Sequence, residues 1–200
     1  MLLAILFLLF VCETLVSAES FTLAAYAPNR PEVHGKPINA YNQRFYIGLD
    51  TPSSFCPSSP HIACPEGDTT TVDEEFTQLR VAVPGGQAVY IDSDGVISYT
   101  AAHSARIPPH STTNGFYRHV VAPQCSLEEE IHLIRYAMPG PGPNFTESNI
   151  YACPHSMVPS RWLLETVWRP REEDEWAGPC FSLEGLQLQR SEIEVGAWQY

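Results

Sequence analysis

Lysine is almost missing from this chain. Lys36 is the only one in 200 residues, and arginine carries the rest of the basic charge. With 11 basic against 23 acidic residues, the formal net charge is −12. A surface of that sign repels phosphate backbones and anionic lipid, so no nucleic-acid partner is expected.

Long apolar runs are missing too. The longest covers residues 2–11, ten in all, whereas a membrane-spanning helix needs about 20. Polar Glu13-Thr14 follows it, then small residues at Val16-Ser17-Ala18. An apolar segment ending in small residues is the pattern of a secretory leader, here cleaved after Ala18. It departs from the usual leader in having no Lys or Arg ahead of the apolar run. Residues 194–200 form no hydrophobic tail, so no lipid anchor is expected there. The sequence therefore predicts a signal peptide at 1–18 and one secreted domain at 19–200, with no stable membrane insertion after cleavage. Cleavage removes one acid, Glu13, and no base, which takes the charge from −12 to −11.

Motifs of catalysis and metal binding are absent as well. None of the seven histidines stands in an HxxxH or HExxH spacing, and no cysteine–histidine set has zinc spacing. There is no GxSxG elbow. Glycoside hydrolysis needs two carboxylates facing each other across a cleft. Asp50, Asp92 and Glu165 are candidates, but nothing in the sequence selects a pair. His103, beside Ser104, follows a predicted strand, and its plain reading is a side chain bonded to loop backbone. No catalytic residue, cofactor or metal is assigned.

Helical periodicity is the last absence. Eighteen prolines and twelve glycines punctuate short alternating runs rich in Val, Ile, Tyr and Phe, the pattern of an all-β domain. Strands are expected at 21–26, 45–49, 79–83, 88–91, 96–100, 116–121, 131–136, 150–153, 162–168, 183–189 and 193–198. One helical turn is expected at 126–130, with Ser126 as its cap. Such strands suit a single disulfide-stapled β-sandwich or a closed β-barrel, a trefoil-like barrel included, although no internal repeat supports the trefoil.

Five cysteines remain after the leader: Cys56, Cys64, Cys125, Cys153 and Cys180. In an oxidising compartment they are disulfide candidates before they are metal ligands. Cys56 and Cys64, close together among prolines, favour a loop staple. Cys153 with Cys180 is the second choice, leaving Cys125 unpaired, and other pairings stay open. Asn144-Phe145-Thr146 is a glycosylation sequon in a Pro/Gly loop. Glu172 to Glu175 is an acid run with the character of a solvated loop. Asp92-Ser93-Asp94-Gly95 has alternate acids like the start of a calcium loop, but that loop also requires a glycine at position 6 and a glutamate at position 12. Asp-Gly between alternating apolar runs is instead a hairpin signal. Trp162, Trp168, Trp176 and Trp198, with nine tyrosines, offer rings for core packing or for stacking on sugars.

Several stretches, taken in order, resemble one known family. They are residues 44–48 (RFYIG), 54–57 (SFCP), 63–67 (ACPEG), 83–91 (VPGGQAVYI), 99–108 (YTAAHSARIP), 151–154 (YACP) with Arg161-Trp162, Cys180, and 197–200 (AWQY). Together they are similar to the fungal secreted IgE-binding proteins, which are related to the PhiA-type cell-wall proteins. Cys125 has no counterpart in that pattern, and the 114–149 region fits it poorly. The resemblance implies a β-rich, secreted or wall-associated protein without established catalysis. It also implies the pairs Cys56–Cys64 and Cys153–Cys180. The expectation is a secreted, non-enzymatic wall or extracellular protein whose partners are cell-wall polysaccharide or wall proteins. The alternatives are a carbohydrate-binding module or host-directed effector, and then an unrecognised hydrolase.

Overall fold

The structure, a computed structural model, describes residues 19–122, 129–137, 150–154, 161–166 and 180–200. These residues form strands and turns with no helix. The strands are β1 (Phe21–Tyr26), β2 (Ile38–Tyr41), β3 (Arg44–Ile47), β4 (Gln78–Leu79), β5 (Gln87–Ile91) and β6 (Ile97–Tyr99). They continue with β7 (Phe116–Val121), β8 (Ile131–Tyr136), β9 (Ile150–Pro154), β10 (Trp162–Glu165), β11 (Phe181–Leu183) and β12 (Gly185–Arg190).

Two antiparallel sheets result. The smaller runs β1-β12-β8-β7. The larger has eight strands in the order β11-β9-β10-β3-β6-β5-β4, with β2 added on β3. β3 pairs β2 along its length and divides its other edge. Tyr46 and Ile47 go to β10, and Arg44 goes to β6. The sandwich expectation holds. The barrel and trefoil alternatives do not, because among the described residues no ladder closes either sheet on itself. The sheets instead meet at a corner, where Val72 bridges both Phe21 of β1 and Leu79 of β4.

Alternation decides what lies between the sheets. Phe45 and Ile47 of β3, Val89 and Ile91 of β5, Ile97 and Tyr99 of β6, and Leu164 of β10 all join one buried cluster. Leu23, Ile134, Leu186 and Leu188 face them from the smaller sheet. Each large apolar side chain buried this way contributes about 1.5–3 kcal/mol. A row of rings crosses the sandwich. Tyr99 packs on Phe45 at 5.3 Å, Phe45 on Phe76 at 5.1 Å, Phe76 on Phe116 at 5.1 Å and Phe116 on Tyr136 at 5.6 Å between centroids. Phe76 belongs to a loop, is fully buried and has φ of 56°. A side chain of this size is rarely found in that left-handed region.

Some strand expectations change. β2 was hidden behind the Pro-, Asn- and Gly-containing stretch at 28–37. The strand expected at 79–83 shortens to β4, because the backbone beyond it turns to other partners. Arg80 N–H donates to Thr71 O, Ala82 N–H to Ala197 O and Val83 N–H to Trp198 O. The strand expected at 193–198 is for the same reason an irregular segment bridged only through Ala197. The strand expected at 183–189 breaks at Glu184, where the chain leaves the larger sheet for the smaller. Gly185 permits this crossing: a Cβ there would press on Ile134 O and Leu133 Cβ, each at 3.0 Å. The helical turn expected at 126–130 lies mostly outside the described residues, and Glu129 and Glu130 are not helical.

Candidate functional site

Three of the motifs that carry the family resemblance meet at one point in the core. Gln87, from VPGGQ, donates through Nε2 to Thr100 O and to Tyr200 O, both at 2.9 Å. Its Oε1 accepts from Tyr200 N–H at 2.8 Å. Thr100, from the YTAAHSA stretch, accepts Ala88 N–H on its hydroxyl at 2.9 Å. The Tyr200 hydroxyl donates to Thr69 O and accepts from Thr71 N–H. Gly196 lies under that hydroxyl, and a Cβ there would strike Tyr200 Oη, Thr69 O and Thr71 Oγ1. Burial pushes the Tyr200 phenol up to about 12. Gln87 is fully buried with its amide bonded at both ends. The motif residues are thus occupied in holding the fold.

Open surface chemistry gathers elsewhere, in a groove of about 510 Å³ between the turn at 73–78 and the start of β7. The turn is closed by its own backbone: Asp73 N–H donates to Gln78 O and Phe76 N–H to Asp73 O. The Asp73 carboxylate accepts from Thr77 N–H at 2.7 Å, Thr77 Oγ1 at 2.5 Å and Gln78 N–H at 3.0 Å. Glu74 and Glu75 therefore project from a fixed wall. Opposite them, Asn114 and Gly115 lead into Phe116 and Tyr117. Gly115 has φ of 110°, and a Cβ there would meet the Tyr136 ring and Ala137 O. Only glycine lets this wall of the groove lie so close to β8.

A charged chain runs along the rim. Arg118 forms an ion pair with Glu74. Its Nε and Nη2 also reach His132 Nδ1, at 3.2 and 2.9 Å. Arginine only donates, so Nδ1 is the accepting nitrogen in this contact. Nε2 faces Glu130 at 3.9 Å. Arg118 stands opposite Ile134, and His132 opposite Val120, so the two are diagonal neighbours across the ladder.

The residues singled out from the sequence are dispersed. Asp92 caps the hairpin between β5 and β6: its Oδ1 accepts from Asp94 N–H and Val96 N–H, both at 2.9 Å. Gly95 takes φ of 88° and donates to Asp92 O at 3.0 Å. Glu165 is buried at the end of β10, bridged to Val96. Asp50 is exposed after β3. His103 is exposed in a turn with φ of 58°, away from the strands. Among the described residues, no three His, Cys, Asp or Glu side chains gather as a metal site would require. The structure joins Cys56 to Cys64, with Cα atoms 6.0 Å apart, and Cys153 to Cys180, with Cα atoms 4.3 Å apart. Cys125, Asn144, Trp168, Trp176 and the acid run at 172–175 lie outside the described residues. Trp162 is no open platform, since the lone lysine, Lys36, places Nζ 5.0 Å from its ring centroid. Sequence reading missed the groove altogether. Its two walls are some forty residues apart in the chain, and no short-range spacing joins them.

The chain is similar to an uncharacterized secreted protein of the fungus Arthroderma benhamiae, 36% identical over 94 residues. That match covers 47% of this chain and 47% of the relative, so the chain spans about half the length of the curated relative it matches. No protein-family model matches the chain, and no solved structure matches it.

Proposed function

We propose that this protein is a secreted, non-enzymatic component of a fungal cell wall or extracellular matrix, of the IgE-binding and PhiA-related kind. The observation that carries the reading is the Gln87–Thr100–Tyr200 node. The stretches most similar to that family are used to hold a sandwich together, as a structural protein requires. The leader pattern at 1–18, the two disulfides and the likeness to a secreted fungal protein support export to an oxidising setting. Wall polysaccharide or other wall proteins are its partners.

Fractionation tests this. Culture medium and washed walls are separated, and the walls are then extracted with detergent and with reductant. The reading requires the mature chain in the wall fraction; recovery from medium alone would refute it. A second reading, a carbohydrate-binding module or host-directed effector, draws on the groove beside β7. Retention on chitin, β-glucan or mannan by protein that never enters the wall would favour it.

A further inference from the structure

We infer that the groove between the 73–78 turn and β7 is a binding site for a short, uncharged, hydroxyl-rich oligosaccharide. The inference rests on the extracellular, wall-facing reading for its choice of ligand and on the groove for everything else. Its volume, about 510 Å³, lies in the roughly 300–1,000 Å³ range of small-molecule sites. Its walls are built in advance. Asp73 fixes one through three hydrogen bonds, and buried Phe76 pins the same turn into the core. Gly115 seats the other against β8. A site that needs no ordering loses less on binding.

The lining selects the chemistry. Glu74 is neutralised by Arg118, and among the described residues no cation pairs with Glu75, which leaves the described lining with one net negative charge. Anionic ligands are repelled by that charge and by the chain's overall excess of acid. Sugar hydroxyls donate to a carboxylate and accept from an amide, and Glu75 and Asn114 supply that pair from opposite walls.

The test uses the full secreted chain purified from medium. Chitohexaose, laminarihexaose and mannohexaose are titrated by calorimetry against wild type, the double variant Glu75→Ala/Asn114→Ala, and Glu192→Ala as a control on an exposed loop. At least one oligosaccharide should bind wild type and the control equally. The double variant should bind at least tenfold more weakly with an unchanged melting temperature. Failure of all three probes to bind, binding unaffected by the double variant, or preferential binding of an oligolysine peptide would overturn the inference. Wall fractionation of the same double variant separates the two ideas. Wall residence without any oligosaccharide binding defeats the groove and leaves the wall reading standing. Groove binding by protein found only in medium does the reverse.

Discussion

Phe76 is the sharpest test of how this sandwich is held. It reaches the core from a loop, touches the rings of Phe45 and Phe116 at 5.1 Å each, and is fully buried. Truncation to alanine removes the filling between the sheets, and Phe→Ala in such sites costs about 3–5 kcal/mol. Whole-domain stability is typically about 5–15 kcal/mol, so this is a large fraction. The backbone supplies a second, independent signature. At φ of 56°, a residue with a Cβ carries a cost of about 1–2 kcal/mol. At most positions glycine is about 0.5–1 kcal/mol less stable than alanine; here the order should vanish or reverse. Urea unfolding of wild type, Phe76→Ala and Phe76→Gly, with the disulfides intact, measures both. Should neither truncation fold, Phe76→Leu keeps most of the volume and is expected to cost no more than about 1.5 kcal/mol. A loss below about 1 kcal/mol for alanine, or glycine falling below alanine by the ordinary margin, would refute the account of Phe76 as a strained plug.

Alkali should destabilise the protein progressively above pH 10. Burial raises the Tyr200 phenol to about 12, and Tyr99, Tyr136 and Tyr90 move in the same direction. A raised folded-state value means stability that is complete below pH 10 and is lost as pH climbs through the folded value. For Tyr200 this amounts to about 3 kcal/mol. Tyr200→Phe should lower stability by about 1–3 kcal/mol at neutral pH by orphaning Thr71 N–H, and should flatten the alkaline limb seen by circular dichroism. Gly196→Ala should cost about 1–3 kcal/mol or more, because its Cβ has no room beside Tyr200 Oη; a neutral thermal melt would contradict this. Replacing both Cys56 and Cys64 by serine opens a loop with sequence separation 8, and Cys153 with Cys180 one of 27. Chain entropy assigns these about 2.5 and 3.5 kcal/mol, so the second pair should shift the denaturant midpoint further.

The sandwich was legible because its strands alternate. Phe45, Ile47, Val89, Ile91 and Ile97 face inward at the positions their spacing demands. Asp92 and Gly95 were legible as a turn because both act within five residues. What escaped depends on distance. The stretch at 193–198 has strand composition, but its hydrogen bonds are taken by Arg80, Ala82 and Val83. Nothing local distinguishes it from a strand. The groove needed Glu75 and Asn114 brought together by folding, and the Arg118–His132 contact needed the register of β7 on β8. Motif matching found Gln87 and Tyr200 but not their mutual bond, which makes those motifs architectural.

β1 and β12 carry one more consequence. Phe21 lies opposite Arg190, the ladder runs six residues, and Glu19 pairs with Arg190 at 2.7 Å. The earliest strand of the sandwich thus waits for one of the last. Native pairing of such high contact order forms slowly, and here it cannot be completed until β12 (Gly185–Arg190) has been made. A chain built this way keeps its first strand unpartnered through nearly all of its synthesis, and the smaller sheet closes on β1 only at the end.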